Sequence, residues 1–376
     1  SFDLQMNNFL LTGGFMEYFV YMTNDCNLKC KYCSVLLDCE KNSLPIKPTY
    51  SYEALISFIK NTQITIEDDE ISIYFFGGEP SLEYDDIEKF INIAKKELSD
   101  FNLKFVLHTN GLRLDILPDK ILNELTLIMF SINYEKIPHY MLYPSYFSLI
   151  VENALSIKKR KQIPIIARLT VTEETSIFTE LLQVSNFFDY VYWQIENCAV
   201  FNDPTAFKDT YNYEIQKTFE YWIKYLNQGV MIKYIPFMAV LKFMFFHDRD
   251  DNEFSCGYSR GMIYIQTNGR CYACSDNVEG NVHYMGDIYG GVTLPHHKLS
   301  EFKCKECFYR SICMGRCGRM HIEFSEIHIN DYCQMNQAMF DLFLNNKKYL
   351  EQIIMQNAFF RDELDNWILE YTEFTP

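Results

Sequence analysis

The chain is short of positive charge. Its 34 Lys and Arg stand against 50 Asp and Glu, a formal charge of −16. That balance excludes a general polyanion binder and gives no reason to expect a nucleic-acid partner. Long apolar runs are lacking too. The longest stretch without Asp, Glu, Lys or Arg runs from Ile137 to Val151, too short for a bilayer and broken by Pro138 and Pro144, so no membrane partner is expected. The first residues, Ser1 to Gln5, lack the basic start of a secretory signal, which predicts a cytoplasmic protein. With 15 Gly and 11 Pro in 376 residues there is no collagen-like or low-complexity tract. Complete disulfide pairing within the chain is missing as well, because 13 cysteines are an odd number.

Those cysteines are the strongest signal. In a reducing compartment metal ligation is the better reading than disulfides. Cys26, Cys30 and Cys33 lie within eight residues near the start, and eight more lie between 256 and 333. Cys39 and Cys198 stand alone and read as small buried hydrophobes.

Hydrophobic periodicity predicts alternating strands and helices over the first two-thirds. The strands are Glu17–Met22, Ile71–Phe76, Leu103–His108, Leu127–Ile132, Ile165–Val171 and Tyr190–Ile195. The helices between them are Tyr52–Lys60, Asp85–Leu98, Pro118–Leu125, Phe147–Lys161 and Ile177–Phe188. Six such units predict an α/β fold, a partial (β/α)6 barrel whose ligand loops follow the strand C-termini. Asn202–Phe207 reads as a linker, Tyr213–Leu226 and Ile235–Phe246 as helices, and 262–273 as a hairpin turning on Asn268-Gly269. Residues 280–317 show little regular pattern, and 334–371 read as helices that close the chain. The division expected is 1–205 barrel, 206–250 helical bridge, 251–340 cysteine-rich segment and 341–376 C-terminal helices.

Cys26-Asn27-Leu28-Lys29-Cys30-Lys31-Tyr32-Cys33 follows the first strand with the spacing C-x3-C-x2-C. Three thiolates in one tight loop suit three irons of a 4Fe–4S cube and leave the fourth open. A three-thiolate zinc site completed by a His or Asp is the alternative. Gly77-Gly78-Glu79-Pro80 follows the second strand. With an aromatic, Tyr32, before the last cysteine, these marks resemble the radical S-adenosylmethionine (SAM) enzymes.

The resemblance implies a cluster on Cys26, Cys30 and Cys33 whose open iron chelates SAM. It implies that Glu79 and the carbonyls of Gly77 and Gly78 accept from the SAM amine. It further implies SAM contacts from Tyr32, Asn110, Ser131 (ribose), Arg168 (carboxylate) and Ile195 (adenine). The fourth strand departs from the family's Ser-x-Asp-Gly, reading Ser131-Ile132-Asn133-Tyr134. The implied reaction is reductive cleavage of SAM to methionine and a 5′-deoxyadenosyl radical, which takes hydrogen from an unactivated carbon.

The later cysteines resemble the SPASM domain of peptide-modifying members of that group, and all seven of its positions are matched. The resemblance implies two auxiliary 4Fe–4S clusters, hence three 4Fe–4S clusters in all. One would use Cys256, Cys274 and Cys317, the other Cys304, Cys307, Cys313 and Cys333. For the first, Cys271, His247 and Asp250 are candidate fourth ligands, and an open site for a substrate thiolate is a further option. A zinc ribbon is the alternative.

Sulfatase maturases of this kind carry a basic Asp directly after the cysteine matching Cys274. Here Ser275 stands there and Asp276 follows as the candidate base, and Ser34-Val35 replace a Phe-Tyr pair. The favoured expectation is therefore a maturase of ribosomally made peptides that forms a cross-link such as a thioether. Its partners would be a precursor peptide with a leader and an external one-electron reductant of flavodoxin or ferredoxin type. The short stretch before Cys26 assigns leader recognition to another surface or a separate protein. Formylglycine formation is the second reading. A non-catalytic iron–sulfur, zinc or electron-transfer protein is the third.

Overall fold

The computed structural model describes residues 16–30, 32–35, 44–66, 69–132, 145–197, 200–246, 254–258, 261–276, 282–295, 297–365 and 375–376. All six expected strands form: β1 (Met16–Thr23), β2 (Glu70–Gly77), β3 (Asn102–Thr109), β4 (Leu125–Ser131), β5 (Ile165–Val171) and β6 (Tyr190–Ile195). Each pairs parallel with the next, in chain order. Helices α1 (Tyr52–Ile66), α2 (Tyr84–Glu97), α3 (Asp119–Leu122), α4 (Ser145–Arg160) and α5 (Ile177–Val184) lie between them. This is the connectivity of a partial (β/α)6 barrel.

Alternation along the strands separates two layers. Phe75 turns outward to Phe90 of α2 (ring centroids 5.7 Å). Tyr74 stacks inward on Phe19 at 4.3 Å, and Phe76 meets His108 at 5.1 Å. Every residue of β1 is buried, and Tyr18–Met22 form an apolar run between Glu17 and Thr23. Helix α2 buries Ile87, Phe90, Ile91 and Ala94 on one stripe. Asp85 and Asp86 sit in its first turn and Lys95 and Lys96 in its last, each matched to the helix dipole.

Three expectations need correction. Asn202–Phe207 is not a linker throughout: Asp203 caps Ala206 N–H and Pro204 opens α6 (Pro204–Leu226). The helix expected from Pro118 is one turn, because Leu125 already belongs to β4, where it pairs with Phe105. Residues 280–317 also hold regular structure, β9 (Tyr284–Asp287) and β10 (Gly291–Val292).

The expected hairpin forms as β7 (Met262–Ile265) and β8 (Arg270–Tyr272), with Gly269 at φ +81° in its turn. Strand β7 runs parallel to β1, with Glu17 opposite Met262. The result is one ten-stranded sheet of order β10-β9-β8-β7-β1-β2-β3-β4-β5-β6. Helix α7 (Ile235–Phe245) packs Phe237 against Trp193 of β6 at 5.4 Å. The cysteine-rich segment adds α8 (Arg310–Cys313) and α9 (Gly318–Glu323). Then α10 (Glu326–Asn345), α11 (Lys347–Gln356) and α12 (Ala358–Asp365) follow. Among the described residues no helix is long and apolar enough to cross a membrane.

Candidate active site and cysteine sets

Backbone contacts bring the first three strand ends together. Gly78 N–H donates to Thr23 O and Glu79 N–H to Asp25 O, both at 2.8 Å. A Cβ on Gly77 would lie 2.2 Å from Thr23 O, and one on Gly78 2.1 Å from Asp25 O, so neither position admits a side chain. Gly77 also sits at φ +123°. The Gly-Gly pair is therefore the surface on which the cysteine loop rests.

The Glu79 carboxylate is buried at 1% exposure. It accepts from Thr109 Oγ1 (2.6 Å), Asn110 N–H (2.7 Å) and Ser81 N–H (3.0 Å). Burial raises its pKa, against the pull of those three donors. Asn110 Nδ2 in turn donates to Asn27 Oδ1, inside the cysteine loop, at 2.7 Å. Glu79 and Asn110 thus tie the ends of β2 and β3 to the cysteine loop after β1.

The Cys26 thiol is pushed up to about 12, by burial first and then, among smaller causes, by the charges of Glu79, Cys30 and Cys33. Cys30 rises to about 11 through burial and the charge of Cys33, with the Tyr32 hydroxyl opposing. Three thiolates this close and this dry need cationic partners, which a group of iron ions supplies.

The later cysteines divide into two sets. Cys304, Cys307, Cys313 and Cys333 line one partly open cavity, together with Arg316 and His321. Burial followed by mutual charge raises Cys304 to about 12 and lifts Cys313 well above the ordinary thiol value. Among the described residues no three His, Cys, Asp or Glu side chains close on a single metal-ion position. An all-sulfur set around such a space fits an iron–sulfur cluster.

Cys256, Cys274 and Cys317 lie near the Tyr258 phenol, whose pKa is raised by burial first and then by the charges of Cys274, Cys256, Glu323 and Cys317. Cys256 Sγ accepts from Gly318 N–H at 3.4 Å, and Cys317 Sγ from Asn197 Nδ2 at 3.6 Å. Cys271 is set apart. It is fully buried on β8, donates to Gly269 O at 3.8 Å and feels the charge of Asp287. His247, Asp250, Cys39 and Cys198 lie outside the described residues.

Asp276 bridges the two ends of the molecule. Its Oδ1 accepts from Ser34 Oγ, beside Cys33, at 2.8 Å, and its Oδ2 pairs with Arg319 at 2.9 Å. The network continues from Arg319 to Glu323 (2.9 Å), Glu323 to His283 (2.6 Å) and His283 to Tyr258 (2.7 Å).

Residues 20–138 match the radical SAM superfamily. The match spans 119 residues, about a third of the chain. An uncharacterized protein of Methanocaldococcus jannaschii is 30% identical over 101 residues, 27% of this chain and 32% of that protein. The chain thus matches about a third of that relative's length. Among solved structures, anSMEcpe with bound SAM has a TM-score of 0.70 at 15% identity, covering 95% of this chain and all of that one. Streptococcus suis SuiB bound to SAM has a TM-score of 0.50 at 16% identity, covering 81% of this chain and 71% of that one. At these identities the solved structures show the fold.

Within the radical SAM barrel, Ser131 ends β4 and Arg168 lies on β5 inside the sheet's inner layer. Arg168 bonds Gln194 and lies over the Tyr192 ring, 5.8 Å from its centroid. Ile195 ends β6, fully buried. The sequence reading missed His108, which hydrogen-bonds Ser131 Oγ through Nε2 at 3.0 Å. Its Nδ1 is buried without a partner among the described residues. The signal was its place one residue before the end of β3, on the inner face.

Burial, then the nearby Arg168 charge, pushes His108 down to about 3. The folded state therefore holds it neutral while the unfolded chain takes a proton below about pH 6.5. Its contribution to stability is complete above pH 6.5 and is lost as pH falls toward 3. Urea unfolding should show a loss approaching about 1.4 kcal/mol per pH unit below pH 6. His108→Phe should flatten that slope; an unchanged slope in the variant would refute the assignment.

Proposed function

We propose that the chain is a radical SAM peptide maturase that forms an oxidative cross-link such as a thioether. The observation that carries this is the single cavity shared by Cys304, Cys307, Cys313 and Cys333, a complete four-thiol set away from the SAM-binding loop. A SAM-cleaving enzyme without further electron transfer has no need of it. Structural support is the likeness to anSMEcpe over nearly the whole chain, a protein also solved with bound SAM and a peptide.

In this reading Cys26, Cys30 and Cys33 hold the SAM-binding cluster. The two later sets hold auxiliary clusters, the first completed by another ligand. When bound and reduced, the first cluster supplies the electron that splits SAM into methionine and a 5′-deoxyadenosyl radical. The chain's own residues do the positioning. Gly78 and Glu79 donate backbone N–H groups to Thr23 O and Asp25 O at the cysteine loop. Glu79 and Asn110 hold that loop, and Arg168 and Ser131 face SAM from the later strands, whereas Ile195 lies on the same face of β6 as Trp193. Thioether formation joins a thiol sulfur to a carbon with loss of two hydrogens. One hydrogen goes to 5′-deoxyadenosine. The other leaves as a proton and one electron, and a cluster held by the later cysteines would supply the acceptor for that electron, to be reoxidised by an external acceptor. Asp276 is the candidate proton acceptor.

Formylglycine formation remains the second reading. It is favoured by the Ser34–Asp276 bond, which sets a carboxylate beside the SAM-binding cysteines.

The test is anaerobic incubation of the reconstituted protein with SAM, dithionite and the peptide encoded beside its gene. We expect 5′-deoxyadenosine and a peptide lighter by two hydrogens, with a free thiol lost. Loss of sulfur from a sulfatase-derived cysteine peptide would select the second reading. No 5′-deoxyadenosine from a fully loaded protein would overturn both.

A further inference from the structure

The segment Cys313-Met314-Gly315-Arg316-Cys317 parts two ligand sets within five residues. Met314, Gly315 and Arg316 all have left-handed backbones, at φ 49°, 68° and 56°. For two non-glycine residues this is a strained run, of the kind that persists where surrounding structure holds it. It turns the chain so that Cys313 lines the four-cysteine cavity and Cys317 joins Cys256 and Cys274.

Arg316 is 5% exposed. Its guanidinium donates to Ile195 O (2.8 Å) and Asn197 Oδ1 (2.7 Å), at the end of β6, and also to Pro376 O. An arginine can only donate hydrogen bonds. The Asn197 oxygen must therefore face Arg316, which fixes the amide and aims Nδ2 at Cys317 Sγ, 3.6 Å away. The backbone donor on Cys256 comes from within the cysteine block, whereas this one comes from the loop that follows the barrel's last strand.

We propose that Asn197, oriented by Arg316, is a positioning residue that sets the reduction potential of the cluster held by Cys256, Cys274 and Cys317. The inference rests on the cluster-binding reading above. Hydrogen bonds to cluster sulfurs are one determinant of potential. An N–H aimed at the thiolate favours the reduced, more negative state, so it makes this cluster the better electron acceptor. The donor stands two residues past Ile195, so the end of β6 also tunes the acceptor. Tyr332 fastens the same strand end from α10, its hydroxyl donating to Glu196 O at 2.6 Å.

The test uses the full chain, reconstituted anaerobically, with potentiometric titration followed by electron paramagnetic resonance. Asn197→Asp keeps an acceptor for Arg316 and removes the donor; Asn197→Leu removes both. In each variant we expect one of three midpoints to fall. The reduced-to-oxidised ratio at fixed potential should drop about tenfold, or about 59 mV for one electron. The other two midpoints should stay. A scaffold-only role for Asn197 predicts unchanged midpoints in both variants at full iron content, and that result would overturn the proposal. If Asn197→Leu loses the cluster, Asn197→Asp decides. If the parent protein holds only about eight irons, the ligand assignment and this inference fall together. The potentials require no turnover, so failure of the peptide-maturase reading leaves this test intact.

Discussion

Replacing Cys26, Cys30 and Cys33 together by alanine should reduce 5′-deoxyadenosine formation to that of a protein-free control. Iron should fall from about twelve to about eight per chain, one 4Fe–4S cluster's worth. The expectation follows from the division of the sulfurs. The three loop thiols are held by the ends of β1, β2 and β3, while the four-cysteine cavity is built from α8, α10 and the residues between 304 and 317. Removing the first set leaves the second set's packing untouched. The variant should therefore remain folded, with the remaining clusters visible by their paramagnetic signals. SAM cleavage by the triple variant would refute the assignment. Loss of all iron would show that the sets are not independent.

Gly78→Ala should act as strongly through geometry alone. The new methyl would meet Asp25 O at 2.1 Å, Asp25 C at 2.7 Å and Asn24 O at 2.9 Å. All are backbone atoms, so no side chain can swing aside. The cysteine loop must move, and the Glu79 N–H bond to Asp25 O goes with it. A shift of about 1 Å in a reacting assembly can lower a rate about a hundredfold, and a drop of that order is expected in SAM cleavage. Gly229→Ala is the matched control. A methyl there meets nothing within 4 Å, and the cost is the left-handed backbone alone. Equal activity of the two variants would show that the Gly-Gly contact does not position the loop.

The barrel was legible because its strands are buried on both faces and its helices carry stripes of period 3.6. The side chains of 71–76 and the stripe of 85–98 left little choice. The Gly-Gly-Glu-Pro segment was legible as a motif, but not as a clamp: Thr109, Asn110 and Ser81 are local partners only once β2 and β3 lie side by side. Helix α6 begins earlier than its apolar pattern predicts, because Asp203 caps it and Pro204 opens it in a stretch whose polar composition reads as a linker. The pairing of β7 with β1 was not legible at all. Nothing within MIYI tells a strand which neighbour it will find some 240 residues away. The split of Cys313 from Cys317 was available only through resemblance. Its physical cause, three successive left-handed residues, requires coordinates, since only Gly315 hints at it.

The parallel β1–β7 pairing bears on how such proteins exchange parts. In the intact chain β1 is an interior strand with neighbours on both sides. A fragment ending between 205 and 250 would instead present it as a bare edge of eight apolar-rich residues, the kind of edge that recruits other strands. A graft of a foreign cysteine segment would have to reproduce the register of Glu17 with Met262 and Val20 with Ile265 to close that edge. Recombination within this architecture is thus constrained at a seam of four residue pairs.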